Sequence, residues 1–141
     1  MEQRYRNEYA DKTRIIFNDL FIDWKKPVIL TEGVFDSMIA GSNAIPLLGS
    51  SLSRESLLFH KLCTTKPEVY VSLDTETEKD REKTIRLMKT LLNNGINVNF
   101  VDVAPYEDVA QCGKKIFREK LRQAVKVSGN DQLFELEMKL T

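Results

Sequence analysis

The sequence has few of the residues and motifs that mark the more specialised classes of protein. Its 141 residues include two cysteines and one histidine, and the cysteines show no Cys-x-x-Cys spacing. A zinc ribbon is therefore excluded, and Cys63 and Cys112 are expected to be reduced. A single histidine, His60, gives little support to a serine or cysteine hydrolase triad. The common nucleotide-binding loops, GxxxxGK[ST] and GxGxxG, do not occur.

Long apolar runs and an excess of one charge are missing as well. Lysine plus arginine and aspartate plus glutamate each total 21, so the net charge is zero. No strongly basic surface is indicated, and contacts with phosphates would need a local patch or metal ions. No apolar stretch approaches the ~20 residues of a membrane span, and the N-terminus, MEQRYRNEYADKTR, is too polar for a signal peptide. These features predict a cytoplasmic protein without membrane contact.

What the sequence does contain is a regular alternation of strand and helix patterns. Short apolar or β-branched runs predict strands at 28–30, 44–48, 69–73 and 98–103. Helical spacing predicts helices at 35–40, 75–93 and 108–124, and a further helix that begins at the N-cap Ser53 and continues through SLLFHKLC. Such alternation is typical of right-handed crossovers. We therefore predict an α/β fold with a small, mostly parallel sheet of about four strands and helices on both faces.

The chain divides into three predicted segments. Residues 1–26 form an N-terminal arm or helix, 27–125 the α/β domain and 126–141 a C-terminal tail. The apolar segment IIFNDLFIDW is expected to pack on the sheet edge or on a partner, and LFELEMKL in the tail is compatible with a short helix.

Acidic residues follow three of the four predicted strands. Glu32 ends the first strand, and Asp36 follows it by four residues. Asp74 and Glu76 end the third strand, and the fourth strand continues towards Asp108. In an open parallel sheet, ligands bind beyond the carboxyl ends of the strands. Carboxylates gathered there repel each other unless a cation lies among them, and Mg²⁺ prefers such oxygen ligands. The set of acids therefore predicts a metal site at this edge.

A structural explanation of some of these acids stays open. Thr75-x-x-Glu78 and Thr77-x-x-Asp80 are similar to helix capping boxes, and acids in the first turn suit the helix dipole. Glu78 and Asp80 are expected to serve only the helix start, and Asp74 is compatible with either a cap or a metal ligand.

The ordered motifs resemble a known family. VILTEGVFDSMIA after a strand, the GSSLS loop, and DTETEKDREKTIRLMKTLLNNGINVNFVDVAPYEDV are similar to TOPRIM domains, and most similar to those of phage and bacterial DNA primases. The resemblance covers about residues 14–124. It implies a Rossmann-like TOPRIM fold and the metal-dependent nucleotidyl transfer by which primases make RNA primers on single-stranded DNA.

The resemblance also implies a role for each matching residue. Glu32, Asp74 and Glu76 would be catalytic, and with Asp36 and Asp108 they would hold Mg²⁺ or Mn²⁺. Glutamate at the second position of the family's DxD pair, and Gln111 where a further acid is expected, depart from the pattern. A primase also needs a zinc-binding module and an N-terminal subdomain, for which this chain has no sequence.

Contacts with nucleotides or nucleic acid are expected at the small loops and on the last helix. Gly33 leaves space for a metal and its phosphate ligand, and a basic run on the last helix is placed to meet phosphates, although a solvated helix face would explain the run as well. The predicted set is Gly33, Ser50, Ser51, Lys114, Lys115 and Arg118, with Lys120 and Arg122 completing the basic run.

Three functions remain open on the sequence. The first is the TOPRIM catalytic domain of a DNA primase, with single-stranded DNA, NTPs and a replicative helicase or other primase domains as partners, in a bacterial or phage-infected cell. The second is a TOPRIM nuclease that uses the same acids to activate water. The third is a non-catalytic replication adaptor that binds through IIFNDLFIDW.

Overall fold

Short strands and longer helices alternate along the computed structural model, which describes residues 15–49 and 52–129. The strands are β1 (Val28–Thr31), β2 (Ala44–Pro46), β3 (Val69–Ser72), β4 (Val98–Phe100) and β5 (Val125–Val127). The helices are α1 (Val34–Ala40), α2 (Leu57–Thr65), α3 (Glu78–Asn93) and α4 (Val109–Arg122), and a 3-10 turn spans Asp19–Phe21. The predicted alternation of strand and helix is confirmed.

The sheet is mostly parallel and has the strand order β2-β1-β3-β4-β5. β1 pairs in parallel with β2 and β3, β3 pairs in parallel with β4, and β5 runs antiparallel to β4 at the edge. The predicted α/β fold is therefore confirmed, with five strands in place of about four. The strand that the prediction missed is β5, because two of its three residues are exposed and it carries no extended apolar pattern.

Helices cover both faces of the sheet, as predicted. Val28 and Leu30 of β1 point to the face covered by α2 and α3, whereas Ile29 between them points to the face covered by α1 and α4. Because β1 is buried on both faces, its sequence is a continuous apolar run rather than an alternating one. This double cover leaves the ends of the strands as the places where polar groups of the sheet can meet solvent.

Side-chain caps fix where two helices begin. The N-cap of α2 is Ser56, whose Oγ accepts a hydrogen bond at 3.1 Å from a backbone N–H three residues on. The prediction of Ser53 as this cap was wrong, because residues 53–56 form a turn closed by a bond from the Ser56 N–H to the Ser53 carbonyl. Helix α3 begins at Glu78 rather than near Thr75, since the Thr77 Oγ1 accepts from the Asp80 N–H at 3.0 Å.

The segment before β1 packs partly on the core. Ile22 is buried with the α2–α3 core, and Ile16 and Trp24 pack against it, while Leu20 and Phe21 are exposed. The first part of the predicted N-terminal arm, residues 1–14, and most of the predicted tail, including LFELEMKL, lie outside the described residues. The predicted domain limits at 27 and 125 stay predictions.

Two further features bear on the sequence predictions. Both cysteines are free thiols, with Cys112 buried and Cys63 half-buried, as predicted. Within residues 15–49 and 52–129, no helix has the length and apolar character needed to cross a membrane.

Candidate functional site

The carboxyl ends of β1 and β3 lie side by side in the middle of the sheet. Thr31 and Ser72, the last residues of these strands, are register partners. Glu32 follows directly on β1, and Asp74 comes two residues after the end of β3. The Glu32 carbonyl accepts a hydrogen bond from the Leu48 N–H at 3.0 Å, which holds the end of β1 against the segment after β2. Strand order changes direction here, which is where open α/β sheets bind ligands.

Asp74 is half-buried and lies near other carboxylates of this edge. Partial burial raises its pKa from the ordinary value of 3.8 to about 6, and the negative charges of nearby carboxylates add to the rise. Those carboxylates, in order of effect, are Glu32, Asp36, Asp108 and Asp80. Glu32, Asp36 and Asp108 therefore lie near enough to Asp74 to act on its charge, and their roles as metal ligands stay predictions.

Asp36 connects two helix starts. Its Oδ2 accepts from the Gly33 N–H at 3.1 Å, and its Oδ1 accepts from the Ala110 N–H at 2.9 Å. The side chain is 8% exposed, so these backbone bonds satisfy a buried carboxylate. Asp36 thus holds the N-terminus of α1 against that of α4, which explains its presence without a metal. Its role as a metal ligand stays a prediction.

Lys83 of α3 reaches across to the acid edge. Its Nζ donates to Glu32 Oε2 at 2.9 Å, and the two side chains are 25% and 21% exposed. The pair spans 51 positions of sequence and connects the loop after β1 with α3. Lys83 therefore places a positive charge against one carboxylate of this edge, Glu32.

The loop between β3 and α3 is held by an arginine. Arg81 donates from one guanidinium nitrogen to the carbonyls of Thr75 and Glu76, each at 3.1 Å. These bonds fix the backbone directly after Asp74. At the start of α4, Asp108 acts as the N-cap, and its Oδ1 accepts from the Gln111 N–H at 2.8 Å.

The donor set fits a hard divalent cation in its chemistry. Several carboxylates raise the pKa of Asp74, and a bound cation would relieve that repulsion. Within the described ranges, 15–49 and 52–129, no three His, Cys, Asp or Glu side chains already stand together as a ligand set. Glu32 Oε2 could bind such an ion only if its bond with Lys83 opened.

The basic residues predicted to meet nucleic acid lie along α4, away from its capped start. Lys114 and Arg118 line a groove of about 470 Å³ together with Met38, Ile39 and apolar residues of α4. Helix α4 is kinked at Gly113, whose φ of 77° is in the left-handed region. The groove runs beside the C-terminal end of α1, so the fold does not bring these cations into the acid group.

The other predicted contact residues have different surroundings. Lys115 is exposed, and Ser50 and Ser51 lie outside the described residues. Gly33 is the extended N-cap of α1, and a Cβ there would lie 3.5 Å from the Asp36 Oδ2, an ordinary contact. Lys120 and Arg122 have partners in the fold, since Lys120 donates to the Ala104 carbonyl and Arg122 pairs with Glu119.

Sequence reasoning missed three residues of this site. Asp80 lies in the first turn of α3, as predicted, but its charge also adds to the raised pKa of Asp74, which was not predicted. Glu76 is exposed in the loop. The sequence spacing could have indicated this effect of Asp80, because Asp80 lies on the same side of α3 as the buried residues Thr84 and Leu87. Lys83 and Arg81 carried no comparable signal.

The fold is similar to that of solved DNA primases. The E. coli primase catalytic core matches 91% of this chain with a TM-score of 0.64 and 21% identity. A DnaG primase catalytic domain bound to single-stranded DNA matches 91% with a TM-score of 0.66 and 20% identity. The Aquifex aeolicus primase, comprising zinc-binding and RNA polymerase domains, matches 82% with a TM-score of 0.63 and 23% identity. This chain has the fold found in primase catalytic cores.

The likeness confirms the TOPRIM resemblance at the level of the fold. The chain spans 44%, 44% and 31% of the lengths of these three structures, less than half of each. In sequence, no family model and no curated protein matches the chain.

Proposed function

We propose that this chain carries the acid site of a DNA primase-type nucleotidyltransferase, which makes RNA primers on single-stranded DNA in replication. The observation that carries the proposal is the raised pKa of Asp74 at the carboxyl edge of a primase-like sheet, which reflects first its partial burial and then the charges of Glu32, Asp36, Asp108 and Asp80. Perturbed acids at such an edge are typical of catalytic sites.

The proposed metal is Mg²⁺ or Mn²⁺, with ligands drawn from Glu32, Asp74, Glu76 and Asp108. When bound, the ion would neutralise phosphate charge and lower the pKa of an attacking hydroxyl. The chain itself does the positioning. Asp36 joins the starts of α1 and α4, and Arg81 fixes the backbone that presents Asp74.

The proposed path of the DNA strand runs along α1 towards the basic residues of α4. Phe35 and Met38 lie one turn apart on α1 and are 78% and 63% exposed. Met38 shares its groove with Lys114 and Arg118. Exposed aromatic and basic side chains are the usual combination for stacking bases and holding phosphates of a single strand. The primase domain solved with single-stranded DNA supports this substrate by analogy.

Further partners follow from the same proposal. NTPs would be the co-substrates, and a replicative helicase or other primase domains would deliver the template. A role in replication would place the protein in the cytoplasm of a bacterial or phage-infected cell.

A primer-extension assay tests the proposal against its alternatives. The full chain is incubated with a primed single-stranded template, labelled NTPs and Mg²⁺, beside the variant Asp74→Asn. Extension that depends on Asp74 supports a polymerase, whereas cleavage that depends on Asp74 would indicate a nuclease. Products that do not differ between the two proteins would contradict both catalytic functions and favour an adaptor.

A further inference from the structure

Helix α3 carries two basic side chains, Lys83 and Arg86, near the Glu32 carboxylate. Lys83 is held by Glu32, and Arg86 follows it almost one turn later on the same helix. Both line a small cleft of about 50 Å³, together with Leu52, Leu87 and Thr90. Leu52 belongs to the segment between β2 and α2, so the cleft lies where this segment meets α3.

The bond to Glu32 uses only part of the hydrogen-bonding capacity of Lys83. An ammonium group has three N–H donors, and the described contacts of its Nζ use one of them at 2.9 Å. The side chain is 25% exposed, so a ligand in the cleft has access to it. Arg86 is exposed and adds a guanidinium, whose fork of donors matches the oxygens of a phosphate.

An anion fits this place better than any other ligand class. The cleft is lined by two positive side chains and by Thr90, whose hydroxyl donates to the Arg86 carbonyl at 3.0 Å, and the bond from Lys83 to Glu32 connects it to the acids. Metal sites of this kind bind a cation and a phosphate together. Glu32 is already the partner of Lys83, so its negative charge partly offsets that of the ammonium and repels a phosphate bound to the remaining donors.

We propose that Lys83 and Arg86 form a phosphate-binding site at the edge of the acid group. Its ligand is a phosphate of the nucleotide or polynucleotide on which the acids act, and the identity of that ligand rests on the proposed function. The site itself requires no metal. It follows that the Glu32 carboxylate partly offsets the charge of Lys83 in the absence of ligand, and that removal of the Glu32 charge strengthens phosphate binding.

Calorimetric titration of the full chain with tripolyphosphate in metal-free buffer tests the site. Lys83→Met should weaken binding about fivefold to tenfold, as loss of one charge-assisted contact does. Arg86→Met should weaken it as well without disturbing the fold, because Arg86 is exposed. The matched control is Lys89→Met, an exposed lysine of the same helix, for which a change below about twofold is expected.

The decisive variant is Glu32→Gln. It should tighten tripolyphosphate binding about threefold or more, since it removes a negative charge that offsets Lys83 and repels the anion. Unchanged or weaker binding by this variant, equal effects of the Lys83 and Lys89 substitutions, or no binding by the unmodified chain would each overturn the proposal. Because no metal or DNA is present, these results are independent of whether the acids bind Mg²⁺ or catalyse transfer.

Two further titrations identify the source of the phosphate. A larger loss of affinity on Lys83→Met for ATP than for a thymidine oligonucleotide assigns the site to a triphosphate, and the reverse assigns it to the strand backbone. Equal affinities of variant and unmodified chain for both ligands would contradict the site.

Discussion

Replacing Asp74 with asparagine should stabilise the metal-free protein at neutral pH. In the folded state the pKa of Asp74 is about 6, against an ordinary value of 3.8. Between these values the folded state retains a proton that the unfolded state has lost, so the free energy of unfolding falls as pH rises through this window. Above about pH 6 the full penalty is present, and below about pH 4 it vanishes.

The size of the effect follows from the same shift. A rise from 3.8 to about 6 corresponds to at most about 3 kcal/mol. Because Asp74 is partly exposed, solvent screens much of this, and we expect Asp74→Asn to raise the free energy of unfolding at pH 7.5 by about 1 kcal/mol. The gain should shrink to zero near pH 4.

Urea denaturation with a chelator present, repeated from pH 4 to pH 8, measures this difference. Asp102→Asn is the matched control, because Asp102 is exposed at the same edge and its Oδ1, which accepts from the Ala104 N–H, is kept in asparagine. The control should show no gain that grows with pH. A destabilised Asp74→Asn variant at pH 7.5, or a difference that is constant with pH, would refute the electrostatic account of this site.

Three other substitutions test separate parts of the structure. Asp36→Ala leaves two backbone N–H groups without their acceptor and should lower the free energy of unfolding, measured by urea denaturation, by about 2–4 kcal/mol. A loss below about 0.5 kcal/mol would show that the link between the helices is dispensable. Ser56→Ala should lower the free energy of unfolding by about 1 kcal/mol through loss of the α2 cap. Ser53→Ala removes no cap and should change it less, and the opposite order would contradict the assigned cap. Arg81→Met should weaken Mn²⁺ binding about fivefold by releasing the loop after Asp74. The same affinity in an Mn²⁺ titration of the variant and the unmodified chain would show that the loop does not need this arginine.

The sequence was sufficient to predict the four parallel strands, though not β5, and to predict that acids follow the ends of β1 and β3. Apolar runs separated by helical patterns require crossovers, and parallel strands put their carboxyl ends at one edge. Glu32 and Asp74 could therefore be placed together from their positions after two strands. The buried run of β1 and the αL glycine after α3, Gly95 with a φ of 75°, are local features that a sequence pattern can carry.

The contacts that organise the site are not local, so no sequence pattern predicted them. The bond from Lys83 to Glu32 spans 51 positions, and the bond from Ala110 to Asp36 spans 74. The first depends on how α3 packs beside the loop after β1, and the second on how α1 and α4 pack together, rather than on residues within one turn. For the same reason the pattern of basic residues on α4 predicted phosphate contacts for Lys114 and Arg118 but not their distance from the acids.

The central claim is that Glu32 and Asp74 hold a divalent cation at the carboxyl edge of the sheet. Anomalous diffraction from crystals of the protein soaked in Mn²⁺ tests it most directly. The account predicts a manganese peak bound by carboxylate oxygens of Glu32 and Asp74, with Lys83 turned away from Glu32, and no peak at this place in Asp74→Asn crystals. Fully ordered acids without a manganese peak, and with Lys83 still on Glu32, would contradict the account.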